Sequence, residues 1–258
     1  VKAYSDSMAV DREDRPINIY TSKGCPYRCS FCYNLRFNKS TWRSKSPSSV
    51  IEEMRYLIDR FHINRVIIQD DNFAVNKKRV LEISEKMRME RLDVKWTIDM
   101  RADQFDRSLL SSMKSAGLYR ILVGAESGSP RILNLIQKDV SIHQIVDSAR
   151  IARELDLKVI YNFVIGWPSE LEEDRKQTID LAFKLAELNP VENPYPLHIY
   201  TPYPGTPLYD FSVSLGFKPP STLEGWGKYD WNKVHVPWIK DKKRIELMHT
   251  LAHAAFYN

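Results

Sequence analysis

The stretch TSKGCPYRCSFCYN, Thr21 to Asn34, overlaps the end of the apolar run Ile17–Thr21 and holds every cysteine of the chain: Cys25, Cys29 and Cys32. Three thiols cannot pair off as disulfides. Clustered thiols with no export signal before them point to a metal site. Thiolates bind iron well, and one loop can wrap a cluster corner by corner. Three cysteines would ligate three irons of a [4Fe–4S] cluster and leave the fourth open to a chelating ligand. Gly24 allows a sharp turn and Pro26 stiffens the loop. Two alternatives remain on these residues alone. Zinc wants a fourth ligand, which one of the six histidines could supply, and a ferredoxin-like cluster would only carry electrons.

Outward from this loop, short apolar runs alternate with amphipathic helical patterns. Strands are predicted at Ile17–Thr21, Arg65–Gln69, Val94–Met100, Arg120–Gly124, Val159–Ile165 and Leu197–Thr201. Helices are predicted at Pro47–Phe61, Lys77–Arg91, Arg107–Ala116, Pro130–Ile136, Ile142–Leu155, Leu171–Leu188 and Lys242–Phe256. Ser46-Pro47 is an N-cap followed by proline at the first helical position, Asp106 precedes the third helix, and Gly117 stands at a helix C-terminus. Six strands separated by helices argue for βαβ units and a parallel sheet, an α/β barrel or open sheet with its reactive groups at the strand C-termini. From Pro202 to Trp231 the chain is rich in proline, glycine and aromatics with little periodicity, which reads as a long ordered loop over a pocket or an excursion carrying substrate contacts.

The 258 residues are 43% hydrophobic and 28% charged, ordinary globular composition that needs no disulfide staples. The net charge of +5 reads as a mixed solvated surface, with basic residues scattered among acidic ones, and gives no ground to expect nucleic acid. No apolar stretch approaches the length of a membrane span, and no signal-peptide pattern precedes the first strand. The first residue is valine, and residues 1–14 read as a linker from an upstream domain.

The C-x3-C-x2-C loop, with Phe31 before its last cysteine, resembles the signature of the radical S-adenosylmethionine superfamily. The resemblance runs along nearly the whole chain through IIQDDNF, GAESGS, FVIGWPSE and PYPGTPLYD. It is narrower toward the subgroup that pairs this domain with an upstream cobalamin-binding domain, including anaerobic magnesium-protoporphyrin monomethyl ester cyclases and hopanoid methylases. The resemblance implies a partial (β/α)6 barrel over residues 15–204 and a C-terminal lid over 205–258. It implies a [4Fe–4S] cluster, S-adenosylmethionine and, through the upstream domain, cobalamin. Reductive cleavage would give a 5′-deoxyadenosyl radical acting on a small-molecule substrate, with flavodoxin or ferredoxin as reductant, in a reducing cytoplasm.

By the same resemblance, Asp70 and Asp71 lie near the methionine ammonium, with an Asx turn or helix cap as the alternative. Arg101 faces the ribose or carboxylate, or else pairs with Asp99 or Asp103. Glu126 and Ser127 approach the ribose or ammonium. Lys138, expected on the following helix, pairs with the methionine carboxylate. Asn162, Val164 and Gly166 line the nucleoside, Val164 against adenine. Tyr200, Tyr203 and Tyr209 face substrate or pack the lid. His249 and His253 are expected on the surface, and no residue is assigned a catalytic role. Cobalamin-linked methylation or cyclisation is the leading reading. A cobalamin-independent dehydrogenase or epimerase and a non-enzymatic electron carrier stand beside it.

Overall fold

The computed structural model of the chain describes residues 14–190, 196–227, 229 and 233–257. Apart from Asp14, the expected linker lies outside them, as do parts of the expected lid. The main strands are β1 (Pro16–Ile19), β4 (Arg65–Ile68), β5 (Lys95–Asp99), β6 (Leu118–Glu126), β7 (Lys158–Ile165) and β8 (Leu197–Ile199), in that order across one sheet. Within this sheet, every pairing whose register is known is parallel. Two further strands, β2 (Ser22–Lys23) and β3 (Arg43–Ser44), form a small antiparallel ribbon that periodicity did not reveal.

The helices are α1 (Asn34–Phe37), α2 (Pro47–Phe61), α3 (Lys77–Met89), α4 (Arg107–Ser115), α5 (Pro130–Leu135), α6 (Ile142–Glu154), α7 (Glu172–Leu188), α8 (Pro207–Ser214), α9 (Leu223–Trp226) and α10 (Lys242–Tyr257). The side chain of Ser46 accepts from the Ser49 amide, so α2 starts at the proline, as its sequence signal requires. Helix α8 corrects the expectation of a loop: Thr206 caps it by accepting from the Tyr209 amide, and Pro207 opens it.

The chain divides into two compact units: residues 14–26, 41–123 and 148–159 among those described, and residues 27–40, 124–147 and 160 onward. In the first unit, the register aligns Ile17, Val66 and Trp96 in one row and Asn18, Ile67, Thr97 and Arg120 in the next. The first row is apolar and fully buried, as packing beneath helices demands. The second row sets the polar Asn18, Thr97 and Arg120 beside Ile67, with Asn18 and Arg120 only half-buried, and half-buried Asp99 follows two residues on from Thr97. A parallel strand set normally reads as apolar on both faces. Here one face mixes polar side chains with apolar ones.

Candidate active site

In the first unit, two carboxylates at the end of β4 grip the chain leading into the cysteine loop. One oxygen of Asp70 accepts from the amides of Thr21 (2.7 Å) and Ser22 (2.8 Å). Its other oxygen accepts from their hydroxyls, at 2.5 and 2.6 Å. Asp71 accepts from the amide of Gly24 at 2.7 Å, where a φ of 87° suits glycine. Neither aspartate caps a helix; Asn72 and Asn76 do that. From the other side, Arg79 donates to the carbonyls of Thr21 (2.9 Å) and Lys45 (3.0 Å), its guanidinium lying over Phe73 and Trp42. The backbone from Thr21 to Gly24 is thus held by buried charge rather than by a long strand pairing.

Asp99, at the end of β5, has its pKa raised to about 7, first by burial and then by the nearby charges of Asp70 and Asp71. Sequence reasoning considered it only as an ion-pair partner for Arg101. Arg101 pairs instead with Asp103, Nε to Oδ1 at 3.0 Å and Nη2 to Oδ2 at 3.1 Å, one of the two pairings expected of it.

The second unit begins inside the cysteine loop. The Cys32 amide donates to the Cys29 carbonyl at 3.0 Å, closing a turn between the two thiols. Ser30 ties that turn down: its amide donates to the Ile136 carbonyl (2.9 Å), and its carbonyl accepts from Leu208 (3.0 Å). Phe31 packs edge-on against buried Trp167, ring centroids 5.2 Å apart.

At the end of β6, Glu126 is buried with φ 63° and pairs with buried Lys138, Nζ to Oε1 at 2.8 Å. A β-carbon at Gly124 would stand 2.2 Å from that Glu126 oxygen and 2.9 Å from Lys138 Nζ, so any side chain there would push the ends of the pair aside. Lys138 lies beyond α5 rather than on a helix, between Gln137 and Asp139, both at positive φ. The Ser127 hydroxyl lies 3.0 Å from the Thr178 hydroxyl and accepts from the Ser129 amide, so it serves the loop itself.

On β7, Asn162 and Val164 are half-buried, and Val164 stands in register with His198 on β8. Gly166 at the strand end has φ 84°; its amide donates to Glu170 (2.8 Å) and its carbonyl accepts from Trp238 (3.1 Å). Burial raises the Glu170 pKa to about 7 despite the Gly166 amide and Arg175. Tyr200 is buried between Trp167 and Trp238 with its hydroxyl 3.2 Å from Ser212, and burial raises its pKa. Tyr209 packs against Phe217 and Trp226, and Tyr203 is exposed.

The surface expectation for His249 is overturned: it is 3% exposed, and its Nδ1 lies 2.6 Å from the Leu197 carbonyl. His253 contacts both His249 and His198, and its pKa is lowered to about 4, first by burial.

The sequence profile of the Radical SAM superfamily matches residues 19–182 of the 258. The chain belongs to the radical SAM superfamily. Its members use a [4Fe–4S] cluster and S-adenosylmethionine. An uncharacterised methyltransferase of Pyrococcus horikoshii is 36% identical over 197 residues, covering 76% of this chain and 42% of the relative. The anaerobic magnesium-protoporphyrin IX monomethyl ester cyclase of Cereibacter sphaeroides is 29% identical over 196 residues, covering 73% of this chain and 30% of that enzyme. The chain therefore spans less than half the length of these relatives. Among solved structures, the radical S-adenosylmethionine methyltransferase TsrM from Kitasatospora setae, with cobalamin and a [4Fe–4S] cluster bound, aligns with a TM-score of 0.66 at 19% identity. That alignment covers 77% of this chain and 39% of TsrM, and with it the fold is the partial barrel of the superfamily.

The residues suit the cluster. The three cysteines form no disulfide. Among the described residues, no three His, Cys, Asp or Glu side chains are disposed to hold a single metal ion. A cluster asks for something else, since each thiolate takes a different iron. Also among the described residues, no helix is long and apolar enough to cross a membrane.

Proposed function

We propose that this chain is the S-adenosylmethionine-cleaving portion of a cobalamin-linked methyltransferase or cyclase acting on a small molecule in the cytoplasm. What carries the reading is the three-cysteine loop with the carboxylates of buried Asp70 and half-buried Asp71 bracing its approach. Cys25, Cys29 and Cys32 would hold the cluster. Bound there, the cluster supplies the electron for reductive cleavage of S-adenosylmethionine to methionine and a 5′-deoxyadenosyl radical.

The protein's own work is positioning. Asp70 and Asp71 fix the backbone before Cys25 and lend a negative field to an ammonium group. In the second unit Glu126 and Lys138 form a prepaired acid and base that can open to an α-amino acid or a ribose; in the first, Arg101 is a cation for the ribose or carboxylate. Asn162 and Val164 offer a polar and an apolar edge to the nucleoside, and Gly166 lets it approach the backbone. The barrel occupies residues 15–204 and residues 205–258 form a lid; Tyr203, at the end of the barrel segment, and Tyr209, in the lid, are the substrate-side candidates. Cobalamin enters through similarity to relatives that extend well beyond this chain.

The test is anaerobic reconstitution with iron and sulfide, followed by electron paramagnetic resonance of the reduced protein with and without S-adenosylmethionine. A cluster signal that shifts on adding the nucleoside supports the reading. A signal unmoved by it makes the chain an electron carrier. A full-length protein purified without any corrinoid would remove the cobalamin part alone.

A further inference from the structure

The mixed-charge surface expected from composition fails in one place. Between Asp14 and Glu52 the chain carries seven lysines and arginines and not one acidic side chain, and this stretch contains the whole cysteine loop. In the first unit, two of these cations face each other: Lys23 and Arg43 are direct register partners across the β2–β3 ribbon. Like charges placed opposite each other oppose strand pairing. Both side chains are exposed, and neither makes an ion pair among the described residues. They line an open groove of about 530 Å³ beside β1, the edge strand of the sheet, together with Lys45 and the exposed ring of Tyr20. One carboxylate, Glu53, enters the groove, and Lys45 already holds it at 2.5 Å. The ribbon ends two residues before Cys25. Self-repulsion is therefore concentrated on an exposed ribbon at the approach to the cluster loop, where Asp70 and Asp71 bind the backbone on either side of Lys23 but neither cation is ion-paired among the described residues.

We propose that the Lys23–Arg43 ribbon and its groove are the docking face for a small acidic one-electron carrier protein. The proposal rests on the S-adenosylmethionine-cleaving reading, which requires an electron from outside the chain. A carrier seated here delivers it close to Cys25. The carrier is oxidised by one electron, the cluster is reduced by one, and no covalent bond forms or breaks. Charge complementarity of this kind steers encounter and fixes register, and an aromatic such as Tyr20 supplies the contact area that charges lack. The ribbon's repulsion, unfavourable in the isolated chain, becomes attraction once the partner's carboxylates arrive.

The test is association measured without turnover, using oxidised flavodoxin as the probe and flavin fluorescence as the readout, for the unaltered protein and a Lys23→Glu/Arg43→Glu variant. At low salt the variant should bind at least about tenfold more weakly, and the difference should vanish near 1 M salt, where the Debye length falls to about 3 Å. In the reconstituted protein, reduction by reduced flavodoxin should slow in parallel while reduction by dithionite keeps its rate. The variant's circular dichroism and urea midpoint guard against misfolding, and a milder Arg43→Gln change should give an intermediate loss. Equal flavodoxin binding by both proteins overturns the docking face. So does tight binding of pyrophosphate or an oligonucleotide at the ribbon with no flavodoxin binding. Either leaves the cluster reading standing, because that reading is decided separately by whether dithionite-reduced protein cleaves S-adenosylmethionine.

Discussion

Replacing Asp70 by alanine should be among the most damaging single changes outside the cysteines. Its carboxylate takes four hydrogen bonds: two from peptide amides through one oxygen and two from hydroxyls through the other. The hydroxyls of Thr21 and Ser22 can rotate toward other acceptors, but the amides cannot. Two buried N–H groups left without acceptors cost about 1–3 kcal/mol each, and the lost charge-assisted bonds to the hydroxyls add less. A total of about 3–5 kcal/mol follows, against about 5–15 kcal/mol for a whole domain. Asp70→Asn keeps one carbonyl oxygen for the amides and turns an NH2 toward hydroxyls that can accept, so it should cost about 1–2 kcal/mol. Urea unfolding of the apo chain reads the stability, and iron per chain after reconstitution reads the loop. Both should fall in the order unaltered, Asn, Ala. Ser22→Ala combined with Asp70→Asn should cost less than the sum of the two. An Asp70→Ala protein within about 0.5 kcal/mol of the unaltered chain and fully loaded with iron would refute the idea that this carboxylate holds the loop.

Lys138→Met should cost about 3–5 kcal/mol by stranding the buried Glu126 charge, and adding Glu126→Gln should restore part of it in a thermal melt. Gly124→Ala should separate that pair and destabilise by about 1–3 kcal/mol, because its β-carbon would stand on Glu126 Oε1. Asp99 holds a proton in the folded chain up to about pH 7, which the unfolded chain releases near its ordinary pKa of 3.8. Its contribution to stability is therefore full below that lower value and is lost as pH rises toward 7. Asp99→Asn should flatten this slope and make the chain more stable than the unaltered one at pH 8, read by urea midpoints at pH 5 and pH 8. His253 has the opposite sign: its pKa is lowered to about 4, so its contribution is lost as pH falls from about 6.5 through 4. Amide exchange on α10 should rise over that acid range, and His253→Phe should blunt the effect.

The strand and helix framework was legible because local signals agreed with the global fold. Ser46-Pro47 and Asp106 sit where their helices begin, and the six apolar runs became the six strands. Helix α8 carried the same Thr206-Pro207 signal, yet the surrounding proline, glycine and aromatic residues obscured it. The β2–β3 ribbon is too short to leave a periodic trace. What could not be read were partners distant in sequence. That Thr21 and Ser22, 49 and 48 residues away, bind Asp70 is announced by nothing near it in sequence. His249 looked like a surface residue because its acceptor, the Leu197 carbonyl, belongs to a strand 52 residues earlier. Asp99 drew notice only as a partner for Arg101; burial beside two other carboxylates is a property of the folded strands.

The most direct measurement is the nucleoside product of the anaerobically reconstituted, dithionite-reduced chain, quantified by mass spectrometry with S-adenosylmethionine as the only added substrate. The expected result is 5′-deoxyadenosine and methionine in equal amounts, abolished in a Cys25→Ala/Cys29→Ala/Cys32→Ala protein that retains the fold. A fully loaded, reducible cluster that leaves S-adenosylmethionine intact would contradict the central claim.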